Sequence, residues 1–437
     1  MKFAPLALCL LPFLVFSQKE IPADLKSGID SDFPYLHDLY LHCHANPELS
    51  FHEYNTSARM AGELRKAGFE VTEKVGGNGV VGVLKNGEGP TILVRADMDA
   101  LPIAEETGLP YSSAVKATDE SGNTVGVMHA CGHDVHMTVW TGAARAMASQ
   151  RATWKGTLVF IAQPAEESSG GAKAMLKEGL YERFPRPDYA LALHVNANLP
   201  AGQVGICPGY SMANVDMVNI TVYGKGGHGA MPHQTIDPVV LSARIILALQ
   251  TIVSRELPPS EPAVLTVGAI HGGAKGNVIP EEVKMELTLR SYSDEVREAM
   301  IEKITRICNG EAMSAGLPEN MYPKIVVRDE YTPALYNDPA LAGRVEKAFE
   351  KAIGDENVLE VPAAMVGEDF GRYGRTEPKV PILLFWLGSV DPVKLAAARD
   401  SGAGLPSLHS SKYAPLPEPT IKTGVLTMCS ALFELLN

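Results

Sequence analysis

The sequence predicts an α/β fold: a mixed, largely parallel sheet covered by helices, with a ferredoxin-like α+β unit inserted into it. Two observations carry this prediction. Short apolar runs of strand type alternate with helical stretches in the first half of the chain, the pattern of a sheet covered on both faces. After Gly209 the order becomes β-α-β-β-α-β, the ferredoxin-like motif, before the first pattern resumes.

The elements follow in chain order. Met60, Ala61, Leu64 and Ala67 recur at helical spacing in 56–69, and Gly68 ends that helix. Residues 80–84 and 91–94 read as strands around the Asn86-Gly87-Glu88-Gly89 turn. Residues 157–162 and 189–195 read as further strands, with helices at 133–149 and 171–179 between them. In the insertion, 216–223 is a strand, and Asp237 caps a helix that carries Pro238 in its first turn and runs to about Arg255. Two strands follow at 263–271 and 283–290. Ser293 then caps a second helix with Val296, Met300, Ile304 and Ile307 on one face, and 324–328 closes the set. A helix near 338–353 and a strand at 382–387 return to the first domain. The division is 1–17, then a principal domain in two parts, 18–211 and 326–437, enclosing an inserted unit at 212–325.

Residues 1–17 read as a secretory signal peptide. Lys2 precedes the apolar run 3–16, and Val15-Phe16-Ser17 offers a cleavage site. The run is short for a membrane span, and the other reading is an uncleaved anchor. Removal leaves a periplasmic or secreted protein with no membrane span. The six cysteines are Cys9, Cys43, Cys131, Cys207, Cys308 and Cys429. Cleavage leaves an odd, scattered set, which is no disulfide framework, and Cys131 is the candidate to stay unpaired. Lys+Arg 38 against Asp+Glu 51 gives a net charge of −13, which excludes nucleic acid as an expected partner.

Metal-ligand residue types gather where strands end. Arg95-Ala96-Asp97-Met98-Asp99 follows one strand and Gln163-Pro164-Ala165-Glu166-Glu167 another, His194 ends a third, and His129-Ala130-Cys131-Gly132-His133-Asp134-Val135-His136 opens a helix. Open α/β sheets bind ligands outside the carboxyl ends of their strands, so a parallel arrangement would bring these groups to one edge. Thiolate, imidazole and carboxylate are zinc-type donors, and a thiolate can bridge two cations. Of the adjacent Glu166 and Glu167, one can coordinate while the other takes a proton from water. Arg95 could instead neutralise one of them. Singly, each piece has a plainer reading: a solvated acidic pair, a small buried cysteine, a core histidine. His129 and His136 read as supporting or helix-surface groups. Together they point to a metal-dependent hydrolase.

At these residues the sequence resembles the amidohydrolase branch of the di-metal aminoacylase and carboxypeptidase family, the branch of hippurate hydrolase, N-acyl-amino-acid amidohydrolases and hydrolases of indoleacetyl-amino-acid conjugates. The resemblance covers nearly the whole chain after residue 17. It includes 44–50, the run Arg95–Ile103, 129–136, 163–167, His194-Val195, 224–233, 272–280, 367–370 and Leu408-His409-Ser410. It implies two divalent metal ions, Zn²⁺ or Mn²⁺, with Cys131 bridging and His133, Glu167, His194 and His409 as the remaining ligands. Glu166 is implied as general base, and Asp99 as the carboxylate that orients a ligand. The wider family has a His-x-Asp pair at Asp97-Met98-Asp99, so Asp97 is not expected to coordinate. The insertion resembles the family's lid, which also forms homodimers. Within it, His228 is implied to polarise the scissile carbonyl, commonly in the partner subunit, and Asn277 and Arg290 to hold the substrate. Without the resemblance, His228 is a turn histidine and Arg290 a surface charge.

The polar segment 116–127, the long stretch 390–406 and Ser411 depart from the pattern and leave acyl preference open. The expectation is an exported amidohydrolase acting on N-acyl amino acids. A dipeptidase or small-peptide carboxypeptidase using the same site is the runner-up. A metal-dependent binding protein lacks a use for Glu166, and a cysteine hydrolase built on Cys131 lacks one for the glutamate pair and His194.

Overall fold

The computed structural model describes residues 22–119, 121–329 and 331–436; the proposed signal peptide lies outside them. The principal sheet has eight strands, ordered Glu70–Val75, Gly79–Lys85, Thr157–Gln163, Thr91–Asp97, Tyr189–Pro200, Ile382–Val390, Val204–Ile206 and Val358–Glu360. Its centre is parallel: Thr91–Asp97 pairs with Thr157–Gln163 on one side and Tyr189–Pro200 on the other, and Ile382–Val390 continues the set. Carboxyl ends of neighbouring strands therefore share one edge, as the sequence predicted.

Burial on both faces explains the unbroken apolar runs of these strands. One face packs against helices Leu25–Ala45, Tyr54–Lys66, His133–Ser149, Pro339–Ile353 and Pro417–Leu436 around Leu36, Trp140, Phe160, Phe349 and Phe385. The other packs against Gly171–Lys177, Leu180–Arg183 and the 3-10 segment Asp369–Arg375, through Met175, Leu180, Phe370 and Tyr373. Two of the large helices escaped the sequence reading for physical reasons. Pro417–Leu436 is buried nearly all round and so lacks a helical stripe. Leu25–Ala45 carries Pro34 inside it. The strand Tyr189–Pro200 also runs on past Val195, because Ile382–Val390 keeps pairing with it as far as Val390 opposite Pro200. His194 thus lies within that strand rather than at its end.

The inserted unit has its own four-stranded antiparallel sheet, ordered Ala263–Gly272, Glu282–Ser291, Asp216–Tyr223 and Lys324–Val327. Helices Pro238–Thr251 and Asp294–Ser314 cover one face and bury Leu241, Ile245, Met300 and Ile304 against Ile220 and Met285. Asp237 and Ser293 cap these helices as predicted, accepting from Val239 N–H and Val296 N–H. The stretch Pro238–Glu256 is long and apolar enough to cross a membrane by composition, yet its inner residues fill this core. Two connections join the unit to the principal domain. In the first, Asn214 N–H donates to Ser291 O, and Val215 forms an antiparallel bridge with Thr332 of the second.

A buried ion pair ties the helix that opens the Cys131 motif to the first helix. His44 Nδ1 lies 2.7 Å from Asp134 Oδ2, and Nε2 lies 3.1 Å from Glu105 Oε1. Burial disfavours the imidazolium, but the bonds to Asp134 and Glu105 outweigh it and push His44 up to about 10. Asp134 and Glu105 are held below their ordinary values despite burial. A histidine raised on folding contributes stability that is whole below its unfolded value of 6.5 and fades as pH climbs through about 10. The carboxylates contribute only above their own ordinary range. His44→Gln should therefore lower the unfolding midpoint most between that range and pH 6.5, with the gap from the wild type narrowing toward pH 10. Urea unfolding across pH checks this.

Candidate active site

The site forms at the carboxyl edge of the parallel strands, past the ends of Thr91–Asp97 and Thr157–Gln163 and beside His194 within the third, next to the start of His133–Ser149. Cys131 is the common point. Its Sγ lies 3.2 Å from His409 Nε2 and 3.5 Å from His194 Nε2. Glu167 Oε2 lies 3.5 Å from His409 Nε2, and Glu167 Oε1 lies 3.8 Å from His133 Nε2. Donor atoms of Cys131, His133 and His194 stand within 4.8 Å of one another, as do those of Cys131, Glu167 and His409, and those of His133, Glu166 and Glu167. All five expected ligands and Glu166 are thus gathered, and Cys131 belongs to two of the donor groups.

Local backbone sets these positions. Gly132 precedes the helix in the left-handed region, φ 78°, where a Cβ would meet Val195 Cγ2 at 2.5 Å. Ala165 and His409 take positive φ of 52° and 64°, conformations that non-glycine residues hold only when their surroundings impose them. Glu53 accepts the Ala165 N–H, and the His409 N–H donates to Ala130 O.

Hydrogen bonds decide which lone pairs stay free. His133 Nδ1 donates to Asp99 O at 2.7 Å and His194 Nδ1 to Val195 O at 2.8 Å, leaving Nε2 of each facing the site. His133 Nε2 and Glu167 Oε1 are buried with no hydrogen-bond partner among the described residues. Soft sulfur, imidazole and carboxylate with orphaned buried lone pairs fit a divalent cation. His136 instead spends Nδ1 on Asp97 at 2.6 Å and Nε2 on the Val195 N–H, so it has nothing to offer a metal. Asp97 is likewise taken, by His136 and by Arg95 at 2.6 Å.

Asp99 is fully buried. Its carboxylate accepts the Glu166 and Glu167 N–H groups at 3.1 and 3.0 Å and the Ser50 hydroxyl at 2.6 Å. It therefore fixes the loop that carries both glutamates. Arg95 does not pair with Glu166 or Glu167. It binds Asp97, Glu368 at 2.8 Å and Asp369 at 3.2 Å. Glu368 and Asp369 had no assigned role in the sequence reading. They reach the site from a segment far along the chain, and only the 367–370 motif marked them.

Burial, then the nearby Glu368 and Glu167 carboxylates, hold Glu166 well above the ordinary carboxyl range. Burial raises Glu167 to about 7. Burial and the two glutamates likewise raise the Cys131 thiol. Cations set among these groups would favour the ionised forms.

A cavity of about 460 Å³ opens over the cluster. Its polar wall is Cys131, Glu166, Glu167, His194 and His409; Arg290 enters from the inserted unit. Arg290 is half-buried, which lowers its guanidinium pKa, and it pairs with no carboxylate among the described residues. His228 stands on a small ladder, Gly227–His228 against Val278–Ile279, and Asn277 immediately precedes its second strand; both residues are exposed and off this cavity. All five described cysteines are free thiols.

Comparison with known proteins places this architecture. The chain is 35% identical over 417 residues to thermostable carboxypeptidase 2 of Saccharolobus solfataricus, covering 92% of this chain and 97% of that one. It is 38% identical over 335 residues to hippurate hydrolase of Campylobacter jejuni, covering 76% and 82%. Among solved structures, the Bacillus subtilis YXEP protein, described as a dinuclear metal binding peptidase, superposes with a TM-score of 0.74 at 28% identity, covering 93% of this chain and 99% of that one. Residues 93–408 match the description of peptidase family M20/M25/M40, and the chain belongs to that family.

Proposed function

We propose that this chain is a two-metal amidohydrolase that splits N-acyl amino acids into a carboxylic acid and an amino acid. The observation that carries this is the gathering of Cys131, His133, Glu167, His194 and His409 into overlapping donor groups, with Glu166 among them. Cys131, His133, Glu167, His194 and His409 would hold the pair of ions, Zn²⁺ or Mn²⁺. Bound there, divalent cations polarise an amide carbonyl and lower the pKa of water, roughly from 15.7 toward 7.

The chain's own groups do the rest. Glu166 takes a proton from the attacking water as the C–O bond forms. It returns that proton to the amide nitrogen as the C–N bond breaks, so the amine leaves neutral. Asp99 keeps Glu166 and Glu167 in place through their N–H groups. Arg290, half-buried and paired with no carboxylate among the described residues, suits the free carboxylate of the amino-acid half through two parallel hydrogen bonds.

His228 and Asn277 are proposed to complete the site of a second subunit. In support, the inserted unit exposes Val240, Leu247 and Ile270 on a helix and on the open edge strand Ala263–Gly272, apolar surface that a homodimer would cover. Export through the 1–17 signal peptide belongs to the same proposal. Short peptides are the second reading, favoured by the carboxypeptidase relative.

Chelation should abolish hydrolysis of N-acyl amino acids, and Zn²⁺ or Mn²⁺ should restore it; activity that survives chelation would point to cysteine chemistry. Glu166→Gln should retain metal, measured by elemental analysis, while kcat falls by roughly 10²–10⁴. Asp99→Ala should weaken metal binding by about 10–100-fold in calorimetric titration. A higher kcat/KM for dipeptides than for N-acyl amino acids would hand the assignment to the second reading.

A further inference from the structure

We infer that Trp386, Met212 and Met365 form the acyl-binding wall of the cavity and select a bulky apolar or aromatic acyl group over acetyl. This rests on the amidohydrolase reading and deepens it.

Trp386 sits on Ile382–Val390 directly opposite His194, and its ring lies 5.4 Å from the imidazole, edge to face. It is only 6% exposed, and it lines the cavity. Neighbouring parallel strands carry these two residues, so the indole keeps a fixed distance from the donor cluster. Gly205 lies beside it on the next strand; a Cβ there would meet Val361 at 2.7 Å and the Trp386 Cβ at 3.4 Å, so the root of the Trp386 side chain is closely packed on that side.

The segment 212–215 gives the cavity a direction. At its start, Met212 packs in the same core as Trp386, and the next residue donates its N–H to Ala364 O and Val366 O. At its end, Val215 lies against Gly367, which in turn borders Arg290 Nη1. At up to about 3.3 Å per residue, Met212 and Val215 stand as much as roughly 10 Å apart along the wall. Arg290 and Val215 therefore mark the inserted-unit end, and Met212 and Trp386 mark the sheet end beside His194. With the carboxylate at Arg290 and the amide at the donor cluster, the amino-acid half spans toward the inserted unit. The acyl group is left at the sheet end. That end offers an indole and two thioethers. Met365 is half-buried and Met is unbranched, so the wall adapts to shape while staying apolar. An acetyl group leaves this surface uncovered.

The test compares N-benzoylglycine with N-acetylglycine on the metal-loaded enzyme. The expected result is a kcat/KM ratio of about tenfold or more in favour of the benzoyl compound. Trp386→Ala should pull that ratio toward one. Should that variant fail to fold, Met365→Ala, at a half-buried position, should lower the ratio in the same direction. Equal or faster turnover of the acetyl compound, or a ratio unmoved in both variants, overturns the inference and leaves the amidohydrolase reading intact. Calorimetric binding of the same two compounds to Glu166→Gln gives an answer without turnover. Tighter binding of the benzoyl compound supports the acyl wall even if neither compound is hydrolysed, in which case the hydrolase reading fails alone. Equal or weaker binding overturns the wall.

Discussion

The structure depends on how negative charge is divided at one edge of the sheet. Asp97, Asp99, Glu166, Glu167, Glu368 and Asp369 converge there with the Cys131 thiol. Arg95, buried among them, answers Asp97, Glu368 and Asp369. Backbone N–H groups and Ser50 answer Asp99. Among the described residues, no Lys or Arg pairs with Glu166, Glu167 or Cys131; only imidazoles approach Glu167, His409 at 3.5 Å and His133 at 3.8 Å. Buried carboxyls without partners are expensive, so the fold invests its internal counter-charges in the scaffold and leaves its donors facing the cavity. The same division fixes roles. Carboxylates with saturated hydrogen bonding hold the loops, and those with free lone pairs are available for chemistry.

Histidines obey the same rule, which residue type alone cannot express. His133 and His136 lie one helical turn apart, and both approach Asp97. His136 uses both ring nitrogens on protein partners, whereas His133 uses one on a carbonyl and turns the other toward Glu167. A pattern search sees two equivalent imidazoles. The hydrogen-bond inventory separates a structural group from a metal donor.

This explains which parts were legible in the sequence. Short unbroken apolar runs marked the parallel strands because both their faces are buried, and the caps at Asp237 and Ser293 marked the inserted unit's helices because each satisfies local N–H groups. Glu166 and Glu167 were visible because they directly follow a strand, and Cys131 and His133 because they open a helix, whereas His194 lies inside its strand. Pro417–Leu436 was not visible, since a helix buried all round carries no stripe. The partners of Arg95 were misjudged because Glu368 and Asp369 arrive through tertiary structure, and no local pattern couples them to Arg95. The resemblance supplied roles for Asp99 and Arg290; the geometry supplies the physical reasons those roles are feasible.

Recognition and chemistry are mounted on different bodies. Cys131, Glu167, His194 and Trp386 belong to the principal domain, and its close-packed parallel strands fix His194 and Trp386 relative to each other. Arg290 belongs to the inserted unit, which has its own core and joins the sheet edge through two connections. Any rotation about those connections changes the distance from Arg290 to the donor cluster while leaving the distance from His194 to Trp386 unchanged. Under the proposed function, a substrate gripped by its carboxylate at Arg290 would be gauged for length between the two units, and its acyl group for shape against the wall at Trp386. Substitutions in that wall would then change acyl preference without disturbing the counter-charge arrangement on which the donor cluster depends.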